Sequence, residues 1–314
     1  LKRKYRIGLE ILAPITLAAS GVAAAATRFY DYAFRRVDYV PDAAADKQKY
    51  ADEYFEYVNW FNSVPSEHWT LHKEDLENHV EATFIPAEHR SDKTVVIAHG
   101  YKGNGETMAN FAKMFYDNGF NVVCPDDRAH GTSSGDYINF GWLDRLDYVE
   151  WAKMVVDKIG DNSEIVLFGV SMGGATIQMT SGEKLPPQVK VLISDCGYSS
   201  LDEELTYLLK TQFHLPRTPL TQIISQINRR RLGFSIDEVS SVKQLQKNKL
   251  PIMFIHGEKD LYVPTSMLEK SYAATQGPKA KWIVKNAVHA ESFWINPIEY
   301  KNRVMDFINQ NLFK

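Results

Sequence analysis

Five unbroken apolar runs, each followed by a polar or helix-like stretch, limit what this chain can fold into: TVVIAHG, FNVVCPD, EIVLFGVS, VKVLISD and LPIMFIHG. They are short, rich in β-branched residues and bounded by Gly, Asp or Pro, so they read as strands rather than buried helices. A strand that is apolar at every position has both faces covered, which is the condition of a parallel sheet packed between helices. HVEATFI is a further strand before this series and KAKWIVK closes it. Helices are expected from Glu106 to Asn118, over WLDRLDYVEWAKMVVDKIG with its apolar spacing near 3.6, and directly after Ser171. Asp42 to Asn62, rich in Ala, Lys, Tyr and Glu, reads as a helix leading into the body. The expected architecture is a mostly parallel sheet of about eight strands flanked by helices, with no internal repeat.

One stretch breaks the rhythm. Cys196 to Leu250 is far longer than a single crossover helix requires. LDEELTYLLKTQF and PLTQIISQINRRRL read as two amphipathic helices separated by Pro216 and Pro219. An insertion there sits over the carboxyl ends of the strands, where open α/β sheets bind ligands, so residues 199–245 are expected to form a helical lid. The alternative is an ordinary peripheral helix pair.

The chain has 314 residues and a formal net charge of −3. Without a concentrated basic face, nucleic acid is not an expected partner. The one basic run in the body, Arg229-Arg230-Arg231, reads as a solvated helix end. Cys124 and Cys196 lie at strand ends, where a small buried hydrophobe fits, and no Cys–His cluster has zinc spacing. His68 and His72 are four apart but lack the Glu after the first His that a zinc-protease helix needs. No metal and no organic cofactor is implied.

The first residues, LKRKYR, are basic, and an apolar run follows from Ile7 to Thr27. It is close to the roughly 20 residues that a membrane-spanning helix needs. Glu10, Pro14 and the alanine-rich composition leave two alternatives open: a secretory signal ending near Ala24-Ala25-Ala26, or an amphipathic helix lying on a surface. Residues 1–37 are therefore assigned to an N-terminal membrane anchor or signal-like segment, and 38–314 to the folded domain. The basic flank predicts a cell-membrane location with the body outside the cytoplasm, or secretion after cleavage.

The segment EIVLFGVSMGGAT carries the chemistry. It places Gly169-Val170-Ser171-Met172-Gly173 between a buried strand and a helix. A sharp strand-to-helix turn exposes a serine hydroxyl in a strained backbone conformation, and side chains two residues away would collide in it, which is why both flanking positions are glycine. A weak nucleophile of this kind needs a base. His289, late in KWIVKNAVHAES, is the candidate. Asp260, in PIMFIHGEKDLYVP, is the candidate acid that orients it, with Glu258 as competitor. An oxyanion requires preorganised donors, for which the backbone N–H groups of Met172 and Tyr101 are expected, the latter from the loop HGYKGNGE. The glycines of that loop do not match dinucleotide spacing, and no GKS or GKT follows.

HGYKGN, PDDRAHGTSSGDY, GVSMGG, HGEKDLYVP and VHAESF together resemble the α/β-hydrolase superfamily, in the branch of carboxylesterases, monoacylglycerol-lipase-like enzymes and serine aminopeptidase-like hydrolases. The resemblance covers about Val80 to Phe313. The order Ser, Asp, His along the chain is that of this superfamily. PDDRAHGTSSG resembles a segment that supports the oxyanion loop there, but departs from it at Ala129-His130-Gly131, so Asp127 and Arg128 carry over only as structural candidates. The resemblance implies a serine hydrolase that cleaves carboxylic esters with hydrophobic acyl or alcohol groups through an acyl-enzyme. Leu201, Leu205, Leu208, Leu209 and Phe213 of the lid, with Phe293 and Trp294 beyond the base, are expected to give the site its apolar character, with Leu205, Leu208, Phe213 and Phe293 as the substrate-binding set. The partner is a small-molecule ester, with the membrane reached through the N-terminal segment and the oligomeric state open. A peptidase or amidase on small peptides, and a catalytically silent membrane-attached binding protein, are the alternatives.

Overall fold

A computed structural model describes residues 21–37, 49–72 and 79–312. Eight strands form one sheet: β1 (Glu67–His72), β2 (His79–Ile85), β3 (Lys93–Ala98), β4 (Asn121–Pro125), β5 (Glu164–Val170), β6 (Val189–Asp195), β7 (Ile252–Gly257) and β8 (Lys279–Val284). Their order across the sheet is β1-β2-β4-β3-β5-β6-β7-β8. β1 and β2 run antiparallel at one edge, and every pair from β4 onward is parallel.

The helices are α1 (residues 21–34), α2 (Ala51–Ser63), α3 (Ala109–Tyr116), α4 (Asp144–Ile159), α5 (Met172–Thr180), α6 (Leu201–Thr211), α7 (Leu220–Leu232), α8 (Ser241–Leu245), α9 (Ser266–Ala274), α10 (Ser292–Ile295) and α11 (Pro297–Leu312). Central strands alternate their side chains between two covered faces. Val166, Phe168 and Val170 of β5 enter a core with Phe111, Phe115 and Tyr300 from α3 and α11. Ile165 and Leu167 enter the opposite core with Tyr148, Trp151 and Ile177 from α4 and α5. Two-sided burial is the physical reason that these strands show no polar alternation in the sequence.

β1 is the strand that the sequence conceals. Within EHWTLH, Trp69 and Leu71 turn inward, Trp69 stacking on Phe84 of β2 with ring centroids 4.4 Å apart. An edge strand with one polar face carries too weak a pattern to stand out in six residues.

The stretch between β6 and β7 folds into α6, α7 and α8, the first two lying with α1 in a third core over the carboxyl ends of the strands. That core alters the expected N-terminal boundary. Ala26, Tyr30 and Phe34 of α1 are fully buried, among Phe140, Met172, Leu205 and Ile224 of the body. Tyr30 Oη donates to Asn228 Oδ1 (3.0 Å), and Arg231 pairs with Asp31 (2.6 Å) while lying over the rings of Tyr30 and Tyr137. Beyond the helix, Arg36 Nη2 donates to Gly131 O (2.7 Å) and Ile138 N to Phe34 O (2.6 Å). Residues 26–37 thus pack as part of the body, and Arg231, at the solvated end of α7 as expected, is one of the groups that hold them. Among the described residues no helix is long and apolar enough to cross a membrane. The part of the apolar run from residue 7 to 20 lies outside the described residues, as does most of the lead-in expected before Ala51.

Phe34→Ala measures how firmly α1 belongs to the body. The ring stacks on Tyr30 at 4.2 Å and meets Phe140 edge-on at 4.7 Å, so its removal is expected to cost about 3–5 kcal/mol in urea unfolding. An unchanged midpoint would mean that α1 is only a tether.

Candidate active site

β5 ends at Val170, and α5 begins at Met172. Ser171 joins them with φ 58° and ψ −119°, a conformation that L-residues adopt only where the surroundings enforce it. The enforcement is steric. A Cβ on Gly173 would lie 2.1 Å from Ala98 O at the end of β3, and one on Gly169 would lie 2.3 Å from Gly173 O. Both glycines flanking the serine are thus required by backbone approach, as the sequence reading expects.

The turn points Ser171 Oγ at His289 Nε2, 2.8 Å away. His289 Nδ1 lies 2.7 Å from Asp260 Oδ2. With an ionised carboxylate on the Nδ1 side, the proton sits on Nδ1 and Nε2 is free to accept from the serine. Asp260 is buried and heavily engaged: its Oδ1 accepts from Tyr262 N and Val263 N, both at 2.9 Å, and its Oδ2 also lies 3.2 Å from His256 Nε2. Burial alone would raise its pKa. The hydrogen bonds from His256 and His289 outweigh that and hold it well below the usual carboxylate range. Glu258, the competing acid, instead accepts from Asn286 N (3.0 Å) and faces outward.

Asp195, at the end of β6, steadies the base loop from below. It accepts from Ser292 Oγ (3.1 Å) and Tyr300 Oη (2.9 Å), while its backbone oxygen accepts from Ser171 N (2.8 Å). Cys196 Sγ lies within 4.8 Å of the ligand atoms of Asp260 and His289. Burial pushes that thiol well above its ordinary range, so it remains protonated and acts as packing rather than as a thiolate ligand.

The loop after β3 is held by two buried histidines. His99 Nδ1 donates to Gly100 O (2.8 Å) and its Nε2 accepts from Asp127 N (2.9 Å). His130 Nδ1 donates to Arg128 O (3.0 Å) and its Nε2 accepts from Lys102 N (3.2 Å). Burial lowers the pKa of both, keeping them neutral, as an accepting Nε2 requires. His130 stands where the sequence departs from the related pattern, and it grips the residue next to Tyr101. The Tyr101 side chain reaches the opposite way, donating to Ala33 O of α1 at 2.8 Å. Below the loop, Arg128 forms a two-pronged pair with Asp147 (2.6 and 2.9 Å), and Tyr148 Oη donates to Asp127 Oδ1 (2.9 Å).

Ser171 opens into a cleft of about 100 Å³. Tyr101, Met172, Leu205, Leu208 and Phe213 line it, as do Phe29, Tyr32 and Ala33 of α1, with Tyr198, Glu204 and Tyr262. Three of the four expected substrate-binding residues are therefore at the cleft. Phe293 is not: it is buried on the far side of the base loop between Phe111, Trp294 and Tyr300. Trp294 stacks on Tyr50, 5.4 Å between centroids. The loop reverses after His289, where Ala290 has φ 56°, and so sends α10 toward the α3–α11 core instead of the cleft. Leu201 and Leu209 are likewise packed away from the cleft. Sequence reasoning missed the α1 wall and Glu204, since nothing local in either segment marks proximity to Ser171. A larger groove of about 390 Å³ on the outside of α6 and α7, with Asp202, Arg217 and Arg229 on its walls, contains none of these groups.

Fold and site together define the class: the chain belongs to the α/β-hydrolase superfamily. The family model described as serine aminopeptidase, S33, matches residues 89–227. The uncharacterized protein YqkD of Bacillus subtilis is 31% identical over 223 residues, covering 71% of this chain and 73% of its own length. The putative esterase YitV of the same organism is 24% identical over 201 residues, 59% of this chain and 74% of its own. Among solved structures, the Pyrococcus furiosus esterase Pf2001 aligns with a TM-score of 0.64 at 23% identity, over 80% of this chain and 92% of that one.

The buried acids under the loop predict a pH signature. Burial, with Asp147 and Asp126 nearby, pushes the Asp127 carboxyl up to about 8 against the opposing hydrogen bond from Tyr148. The folded chain therefore keeps a proton that the unfolded chain releases near 3.8. Stability from this source is complete below 3.8 and declines as pH rises toward about 8. Asp127→Asn is expected to remove the decline, so its urea midpoint gains on that of the native chain across this window. A constant offset between the two would show that Asp127 titrates normally.

Proposed function

We propose that this protein is a serine hydrolase acting on small carboxylic esters with an apolar acyl or alcohol portion. The observation that carries the reading is the pair of contacts from Ser171 Oγ to His289 Nε2 (2.8 Å) and from His289 Nδ1 to Asp260 Oδ2 (2.7 Å), opening on an apolar cleft. Ser171 Oγ attacks the ester carbonyl and passes its proton to His289 Nε2, while Asp260 stabilises the imidazolium. The backbone N–H groups of Tyr101 and Met172 hold the oxyanion. Collapse of the tetrahedral species breaks the bond to the alcohol, which leaves with the proton from His289. Water then adds to the acyl-enzyme, giving its proton to the same imidazole, and the acid departs as Ser171 regains its hydrogen. Leu205, Leu208 and Phe213 of α6 and the loop beyond it serve as the lid side of the cleft, and α1 as its opposite wall. A cleft of about 100 Å³ favours a short acyl group.

The test is p-nitrophenyl ester hydrolysis across acyl lengths, using a chain that retains α1. Short acyl groups are expected to be turned over best, and Ser171→Ala to lose at least about 10⁴-fold in kcat. Asp260→Asn should lose a comparable factor by favouring the wrong tautomer of His289. Cleavage of aminoacyl amides in preference to every ester would favour the peptidase alternative. Turnover that survives Ser171→Ala would refute the serine mechanism.

For location, we propose attachment to a membrane through the apolar residues that precede Ala26, with the body on the outer side. The apolar run of residues 7–27 supports this, and its last seven residues open α1. The full chain is then expected in the membrane fraction and a chain beginning at residue 21 in the soluble fraction. Equal partition of the two would discard the proposal.

A further inference from the structure

Glu204, on α6, is 4% exposed and lines the same cleft as Ser171, yet neither of its carboxyl oxygens has a hydrogen-bond partner among the described residues. An unpartnered buried polar group costs free energy, and a carboxyl that is also ionised costs far more. The surroundings are of little help to a charge. Leu205, Leu208 and Phe213 are apolar, the hydroxyls of Tyr101 and Tyr198 are committed to Ala33 O and Phe140 O, and neither Gln212 nor the hydroxyls of Tyr32 and Tyr262 bond to the carboxyl. A leucine at this position would extend the apolar lining at no such cost.

We propose that Glu204 is the polar recognition group of the cleft, and that its substrates are esters bearing a hydroxyl, on the acyl or the alcohol portion, which exchanges hydrogen bonds with the Glu204 carboxyl while Ser171 attacks the carbonyl. A protonated carboxyl offers one donor and one acceptor, and an aliphatic hydroxyl offers the matching acceptor and donor. Both groups are neutral, so the pair does not require a charge to be held in an apolar cleft. Burial, the nearby Asp260 carboxylate and Glu203 all push the Glu204 pKa well above its ordinary value, consistent with a neutral acid. An ammonium ligand would instead require the ionised carboxylate, which those same neighbours oppose. The proposal rests on the ester-hydrolase reading and narrows its substrate class.

The experiment compares matched esters in which a methyl replaces the hydroxyl. 2-Hydroxyethyl butyrate against propyl butyrate tests the alcohol side, and ethyl 3-hydroxybutyrate against ethyl isovalerate tests the acyl side. In one of the two pairs the native chain is expected to favour the hydroxylated ester by about tenfold in kcat/KM, the value of one well-made hydrogen bond. The pair that shows the preference identifies the side that faces Glu204. Glu204→Leu, or Glu204→Met if the leucine variant does not fold, should bring that ratio to one or below. Glu204→Gln should keep most of it, because its amide also offers a donor and an acceptor. A native ratio near one in both pairs, with good turnover of propyl butyrate, would overturn the proposal and leave the hydrolase reading standing. So would loss of the ratio in Glu204→Gln together with a native preference for 2-aminoethyl butyrate, which marks an ionised carboxylate. An equal loss on hydroxylated and methyl esters in the variants would mark a structural role and also overturn it. Silence of the native chain toward every ester would overturn both readings.

Discussion

The close approach of the β5–α5 turn to the end of β3 governs the rest of the site. Gly173 lies so near Ala98 O that a Cβ there would stand 2.1 Å from it. That contact holds Ser171 at φ 58° and lifts its hydroxyl out of the sheet toward His289. It also sets the Ser171 turn beside the loop that carries Tyr101, so the serine and the two proposed oxyanion donors share one backbone junction. Strain at Ser171 persists because strands buried on both faces fix the turn from either side.

Around that junction the protein controls charge by burial and by choice of partner. Asp260 is buried but kept ionised by two imidazoles and two backbone N–H groups, the condition for holding the tautomer of His289. Asp127 is buried with one side-chain donor and is pushed toward its neutral form. The Glu204 carboxyl is buried with no hydrogen-bond partner among the described residues. Carboxyls within one fold are thus pushed in opposite directions by their surroundings alone, Asp260 toward the charged form and Asp127 and Glu204 toward the neutral one. His99 and His130 show the same control in the opposite direction: burial keeps them neutral, and a neutral Nε2 can accept from the Asp127 and Lys102 backbones.

The amino-terminal helix ties the cleft to the segment that precedes it. Phe29 and Tyr32 both meet Phe213 through their rings, at 5.1 and 5.8 Å, across the cleft from α6. The same helix is anchored by Arg231 through Asp31 and by Tyr101 through Ala33. A displacement of α1 would therefore alter the cleft wall and the proposed oxyanion loop together.

Much of this was legible in the sequence, for definite reasons. Two-sided burial wrote the central strands as continuous apolar runs, and a backbone collision demanded glycine on both sides of Ser171. The order of serine, acid and base along the strands then singled out Ser171, Asp260 and His289, which the fold brings within hydrogen-bonding reach. β1 escaped notice because an edge strand with one wet face leaves little pattern. Phe293 was misplaced because a single positive φ at Ala290 decides which way the base loop turns, and apolar character alone cannot show direction. The roles of α1 and Glu204 were hidden for a deeper reason. Each reaches the cleft through contacts between segments distant in the chain, and its environment is a property of the packed molecule. Local residue types determined the strands, the turn and the chemistry available at it. Only tertiary packing decided which walls enclose that chemistry and which buried acid stands beside it.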